Sequence, residues 1–502
     1  VIQGNYLYHD DYYLLSISDT WSQHPQYLGY KKYSGRPLGI MIKCFYSSFF
    51  DEPQRANIAR FFSILATWFL GVLLFIVLCY LMHSVFLSML TSVCIITLLP
   101  FQHPNASIAN VPYLYAGIFG VLSSLIIIFF IDWKQWEQKI VFNKRNIILM
   151  LLSAVFFLIG LWTYQSAVYL YTFSIVLFIL HKHFKTIKSL FRILAGTLLP
   201  LFTAAICYSI WFKITQIAEP GSAVNIISKI SWFYNIVIPR IFSFWSLKRT
   251  WIGFIIFMCL ICIMIILWLL KQFKDNHRMC VLWKNLSIAG IKFLSVVIIS
   301  ILTYLPSLMS AYTGFVYRTM IAVQAVFFVI AVFCIWEIFF NLSNFMPNRV
   351  TRKIFNPNNI LVILLFLGMF IGIYTAHNNV MNLYVIPQTM ELRLVRNVLK
   401  HTNLTGKTHI HVVRPKNSHA ISGYSDGNDG DEFGAMTTSF RNDTYYFVKL
   451  GALKQINNTD EFTITSGNDR LHYDSPAPVT TDAVPKDAVI IDMNELVKNL
   501  YA

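Results

Sequence analysis

Between residues 58 and 376, apolar runs of bilayer-spanning length follow one another with only short polar breaks. A helix needs about 20 mostly apolar residues to cross the hydrocarbon core. By that measure the sequence predicts about ten spans, near 58–82, 85–100, 112–131, 147–162, 165–181, 190–212, 251–270, 288–306, 318–338 and 359–376. In lipid, backbone amides can bond only to one another, so a chain of this kind folds as an all-α polytopic membrane protein. Its charge agrees: 13% of residues are charged, against about 25% in soluble domains, and mean hydropathy is +0.56.

The net charge of +16 would otherwise direct attention to nucleic acid. The basic residues, however, form short clusters between apolar runs, where they orient helices and attract anionic headgroups. Membrane lipids are therefore the expected partners, and nucleic acid is not. Lys134, Lys139, Lys144 and Arg145 separate the third and fourth segments, and Lys182, Lys185, Lys188 and Arg192 follow the fifth. Lys271, Lys274, Arg278 and Lys284 follow the seventh, and Arg349, Arg352 and Lys353 the ninth. Loops 101–111, 163–164 and 307–317 contain neither Lys nor Arg. This alternation puts the basic set in the cytoplasm, although Lys213, Lys229, Arg240, Lys248 and Arg249 run against it.

Three regions follow. Residues 1–57 form a first extracytoplasmic loop, residues 58–376 the transmembrane bundle, and residues 377–502 a small extracytoplasmic α/β domain. Within 213–250, the stretch 222–247 is aromatic but broken by Lys229, Pro239 and Arg240, which predicts interfacial helices. The parity of the spans predicts a further transmembrane helix before Val1. In the last region, 388–401 has a helical pattern, while 408–413, 444–453 and 487–492 look like strands. Most of the eight cysteines fall in apolar runs, so no disulfide framework is legible.

The topology gathers polar residues on one membrane face, where each is expensive to hold and so marks a candidate site. Asp10 and Asp11 adjoin in YHDDYYLL, Arg36 lies in YSGRPLG, His103 and Asn105 in FQHPNASIANVPY, and Tyr164 and Gln165 in WTYQS. Arg240 lies in the long loop, and Arg318 opens a span. A carboxylate pair at a partly dry interface suits a general base; it equally suits a helix cap. Arg36 and Arg318 can hold a phosphate through paired hydrogen bonds or snorkel to headgroups. His103 lacks metal-ligand spacing, and SDGNDGDEFG (425–434) departs from the EF-hand pattern, so no metal site is expected. No Gly-rich phosphate loop occurs.

The joint order of HDDYY, G-R-P-L, QHPNASIANVPY and Y-Q-S-A resembles the bacterial serotype-converting glucosyltransferases of the Gtr type, whose fold is similar to the GT-C glycosyltransferases. The resemblance covers most of the membrane part through short motifs. It implies a GT-C-like helix bundle in the bacterial inner membrane, multi-pass, with the N-terminal loop and C-terminal domain in the periplasm. It also implies transfer of a hexose, glucose in that family, from a polyprenyl-phosphate donor to an O-antigen or other lipid-linked or surface glycan. Asp10 or Asp11 would be the base, and Arg36, Arg318 and Arg240 would bind the donor phosphate. His103, Asn105, Tyr164, Gln165, Tyr12 and Tyr13 would contact substrate. No cofactor is required, while a divalent cation at the acidic motif is compatible with the resemblance. Two other readings stay open: a flippase or transporter for lipid-linked sugars, and an O-antigen polymerase or ligase.

Overall fold

A computed structural model describes residues 11–12, 36–49, 56–82, 84–138, 143–182, 184, 186–214, 226–246, 251–275, 279–309, 317–345, 356–415, 441–454, 462–467, 472–474 and 481–495. The main helices are α1 (Pro37–Ser47), α2 (Ala56–Met82), α3 (Val85–Ile96), α4 (Leu99–Ala106), α5 (Pro112–Phe130), α6 (Lys144–Thr163), α7 (Leu170–His181) and α8 (Ile187–Ile214). After them come α9 (Ile226–Trp232), α10 (Ile252–Asp275), α11 (Met279–Leu302), α12 (Ile321–Phe345), α13 (Pro357–Val380), α14 (Ile386–His401) and α15 (Arg441–Tyr446). Among the described residues, 8 helices are long and apolar enough to cross a membrane, or up to 9 with the bent pair α3–α4. The protein is a multi-pass membrane protein.

Each expected span corresponds to a helix, but two are not simple crossings. α3 and α4 meet at a 61° bend. Pro100 cannot continue a helix begun earlier but suits the first turn of a new one, so LLPFQHP breaks the run and restarts it. α7 has 12 residues, about 18 Å of helix, against a hydrocarbon core of about 30 Å. Lys292, inside a span, donates to the carbonyls of Leu180 (2.7 Å) and Lys182 (3.3 Å) at its C-terminal end, where a cation is favoured.

The two ends of the bundle differ. One holds the described members of the basic loops between α5 and α8: Lys182 pairs with Glu137 at 2.8 Å, and Arg145 donates to the Phe130 carbonyl at 2.8 Å. The other gathers the starts of α2 and α5, the ends of α4, α6 and α8, and the exit of α13. Between the ends, Ser123 bonds Ser153 (2.9 Å) and Ser124 bonds Ser174 (2.8 Å), tying α5 to α6 and α7. Small polar residues of this kind let helices approach closely in lipid.

The last span runs on through a π-helical turn, Met381–Val385, into α14. α14 packs in the C-terminal domain with a three-stranded parallel sheet of order β2-β1-β5, where β1 is His409–Val413, β2 Thr463–Gly467 and β5 Val489–Asp492. A small antiparallel hairpin joins β3 (His472–Asp474) and β4 (Thr481–Ala483). β1 is buried throughout, as a central parallel strand requires. The strand expected at 444–453 is instead helical, α15 followed by the π-helical stretch Phe447–Leu453. Its Phe447, Val448, Ala452 and Leu453 fill one side of the domain core, and at that length periodicity does not separate the two structures. The same core includes Tyr12, Ala56 and Ile108, so the domain is seated directly on the bundle. The stretch 425–434 lies outside the described residues.

One hydroxyl in this domain joins two histidines. Thr465 Oγ1 lies 2.8 Å from His409 Nε2 and 3.0 Å from His411 Nδ1. Burial, with His411 adding and Asp487 opposing, lowers the pKa of His409 below the ordinary histidine value. A histidine harder to protonate when folded adds stability above its unfolded pKa, and that stability is lost as pH falls toward the folded value. Hydrogen-exchange protection of the β1 amides in the full chain should therefore fall once pH drops below about 6.5. Protection unchanged through that range would contradict the burial of a neutral His409.

Candidate functional site

Most of the polar residues singled out in the sequence meet at the less basic end, in two groups that share a pair of tyrosines. Arg36 immediately precedes α1, whose first turn holds Pro37. Its Nε donates to Gln165 Oε1 at 2.5 Å, and its guanidinium lies 4.0 Å from the centre of the Tyr164 ring. Gln165 Nε2 donates to Tyr208 Oη on α8 at 2.6 Å. Tyr164 packs on Tyr113 with ring centres 3.6 Å apart, and Arg318 Cζ is 5.6 Å from the Tyr113 ring. Arg36 thus lies against one ring of the tyrosine pair and Arg318 against the other.

The second group is a hydrogen-bond chain whose direction chemistry dictates. Arg318 Nη1 donates to Asn110 Oδ1 at 2.8 Å. A guanidinium accepts nothing, so the Asn110 amide must turn its oxygen to Arg318 and its NH2 away. That NH2 reaches Ser107 Oγ (2.9 Å) and His103 Nε2 (2.8 Å). The Ser107 hydroxyl donates to Asp11 Oδ1 at 3.1 Å, and the same oxygen accepts from the Ala109 N–H at 2.8 Å. Because His103 Nε2 accepts, a neutral ring carries its proton on Nδ1 and donates it to Tyr384 Oη, 2.5 Å away. All bonds then point away from the Arg318 cation, one branch ending on the Asp11 carboxylate. Chains of one polarity strengthen each link. Asp11, His103 and Tyr384 are fully buried.

The remaining expectations divide. Asn105 is spent on structure, accepting from Thr67 Oγ1 and donating to the Phe101 carbonyl, each at 2.9 Å. It faces α2 and does not take part in the chain. Tyr12 also packs, with its ring edge-on to Phe447 at 5.1 Å in the domain core. Arg240 is buried in the helical segment 226–241, with its guanidinium 5.9 Å from the Tyr317 ring. Burial pushes the nearby Tyr304 phenol up to about 12, so it remains a neutral hydroxyl. Lys229 sits 4.4 Å from the Trp232 ring, and desolvation lowers its pKa. Asp10 and Tyr13 lie outside the described residues.

Ser107, Asn110, Tyr113, Tyr208 and Tyr384 are the participants that the sequence did not single out. Three of them lie in FQHPNASIANVPY, where small polar residues crowded between two apolar runs were the available signal. Tyr384 offered none. Among the described residues, no three His, Cys, Asp or Glu side chains stand close enough together to hold a metal ion.

The fold and the site define a class, a multi-pass membrane protein with a directional polar network at one end and a domain seated over it. Comparison with models of known protein families, with curated proteins and with solved structures finds no match.

Proposed function

We propose that the chain is a membrane glycosyltransferase, moving a hexose from a polyprenyl-phosphate donor to a lipid-linked or surface glycan on the periplasmic face of a bacterial inner membrane. The observation that carries this reading is Arg318 and Asp11 held at either end of one hydrogen-bond chain, beside two tyrosines packed ring against ring at a tilt and away from the basic end. The acceptor hydroxyl would attack the anomeric carbon, whose bond to the phosphate oxygen breaks. The electron pair leaves with the polyprenyl phosphate, and a carboxylate takes the hydroxyl proton. Arg318 meets the developing negative charge as a preorganised cation. Asp10 is the base in this scheme. Asp11, with no exposed surface and two donors on one oxygen, holds the 107–109 turn. The faces of Tyr113 and Tyr164 suit sugar rings, and the apolar helices suit a prenyl chain. The alternation of basic loops supports the orientation.

The test is transfer by the purified full-length protein given synthetic polyprenyl-phosphate glucose and a lipid-linked glycan acceptor. Arg318→Lys keeps the charge and loses the planar fork. It should lower kcat by about a hundredfold, the scale of losing one preorganised donor. Arg36→Lys, at the Tyr164 ring of the pair, should act mainly on KM. No transfer with any polyprenyl-phosphate hexose, from folded protein that binds such lipids, would replace this reading with the flippase.

A further inference from the structure

A second polar cluster lies at the same end of the bundle, on the segment that joins α8 to α10, and the proposed reaction leaves it unused. Lys229 and Trp232 on α9 and Arg240 beyond it are all buried. Trp232 stacks on Tyr304 with ring centres 6.3 Å apart and planes at 21°, and Lys229 Nζ lies 4.4 Å from the centre of the Trp232 ring. Gln324 donates from Nε2 to the Arg240 carbonyl at 2.7 Å, and the Tyr317 ring lies 5.9 Å from the Arg240 guanidinium. Tyr304 comes two residues after the end of α11, and Gln324 is the fourth residue of α12. The cluster therefore stands within about one helical turn of where these spans leave the hydrocarbon, which is the depth of lipid headgroups.

Gln324 Oε1 and Trp232 Nε1 are buried and have no hydrogen-bond partner among the described residues. The Gln324 amide cannot exchange its ends, because the Arg240 carbonyl accepts and never donates. Its oxygen is thus left facing a position where a hydrogen must be brought. Trp232 needs the reverse, an acceptor. Holding either atom buried and unmatched is expensive. A hydroxyl supplies both functions, and the two cations in the cluster favour an anion. A guanidinium with five donors and an ammonium with three can take that anion beside the contacts they already make.

We infer that this cluster binds the headgroup of a phospholipid whose phosphodiester carries free hydroxyls, of which phosphatidylglycerol is the simple case. Arg240 and Lys229 meet the phosphodiester. A glycerol hydroxyl donates to Gln324 Oε1, and an oxygen of the headgroup accepts from Trp232 Nε1. The acyl chains run along the exposed Ile298 and Ile301 of α11 and Ile252 and Ile255 of α10. The choice of headgroup follows from charge and donors together. Phosphatidylcholine has no hydrogen to give Gln324. Phosphatidylethanolamine has one on an ammonium, which Lys229 and Arg240 repel. Phosphatidic acid carries the charge without an alcohol hydroxyl. The bound lipid ties α9 to α12, and it does so whether or not the chain transfers sugar.

The experiment titrates each lipid into the purified full-length protein in detergent and reads the melting temperature, which a ligand of the folded state raises. Phosphatidylglycerol should raise it saturably, with an apparent Kd about fivefold below that of phosphatidic acid, the scale of one neutral hydrogen bond. Phosphatidylcholine and phosphatidylethanolamine should give no saturable shift. Free glycerol phosphate should give none either, and a shift equal to that of the lipid would overturn the assignment to a phospholipid. Gln324→Leu should erase the preference for phosphatidylglycerol and leave the binding of phosphatidic acid as it was. Lys229→Gln should weaken both lipids by about tenfold, whereas Lys213→Gln, at an exposed lysine near the end of α8, should weaken neither. Wild-type protein that binds the two anionic lipids equally, or neither, would overturn the inference, and that comparison needs no variant to fold. A preference that survives Gln324→Leu would overturn it as well. So would equal losses in Lys229→Gln and Lys213→Gln, because a diffuse positive surface would then be the cause.

Discussion

Asp10→Asn should remove sugar transfer and leave the protein folded. General acid–base groups contribute about 10²–10⁴-fold, so kcat should fall by that amount with the melting temperature unchanged. The adjacent Asp11 should behave differently because of what its side chain does. Both donors to Asp11, the Ser107 hydroxyl and the Ala109 N–H, reach the same oxygen. Asp11→Asn can offer them a carbonyl oxygen in the same place, so it should fold and keep part of its activity. Asp11→Ala leaves a buried hydroxyl and a buried N–H without that acceptor, at about 1–3 kcal/mol each, and should lower the melting temperature clearly. Comparing kcat with melting temperature across the three variants separates the base from the brace. If Asp11→Asn melts like wild type and has no activity while Asp10→Asn is active, the roles are exchanged. Full activity in both Asn variants would remove the carboxylates from the chemistry.

The spans were legible because lipid imposes one requirement on the backbone and one on the side chains, and both are written in composition. Even LLPFQHP, where a simple span is interrupted, carries its proline. The helix at 444–453 was not legible, because TYYFVKLGAL is apolar on several sides and its structure is decided by packing against Tyr12 and Leu392. The site was legible in part for a related reason. Arg36, His103, Arg318 and Asp11 stand out as polar residues beside apolar runs. Asn105 stands out equally and is consumed by Thr67. Asn110, five residues further on, is the hub instead. Spacing along the chain cannot tell the two asparagines apart, since the difference arises from α2 on one side and Arg318 on the other. Tyr384 becomes meaningful only once α13 is known to end beside α4.

Gly120→Ala should be among the most damaging single changes in the bundle, although it adds one methyl group. Among the described residues, α5 and α6 pack more extensively than any other helix pair, and the turn 164–169 is wedged between them. A Cβ at Gly120 would overlap the Val168 carbonyl oxygen and stand 2.9 Å from its carbon and 3.2 Å from the Tyr171 nitrogen. All three are backbone atoms, so no rotamer change relieves the overlap, and the turn or the helix must shift. Overpacking costs about 1–3 kcal/mol, and a backbone clash belongs at the upper end, with a fall in melting temperature in detergent to match. Gly160→Ala meets the Val168 side chain instead, its Cβ at 3.0 Å included; the methyl can turn away and the Cβ moves only with its backbone, so the loss should be smaller but still clear. Gly290→Ala meets nothing within 4 Å and should melt as wild type. The same turn carries Tyr164 and Gln165, which hold Arg36, and a displacement of about 1 Å at a site can cost a hundredfold in rate. Gly120→Ala protein that does fold should therefore transfer poorly while Gly290→Ala transfers normally. Equal melting temperatures for all three variants would mean that the turn does not sit against α5, and the placement of Tyr164 and Gln165 against Arg36 would lose its foundation.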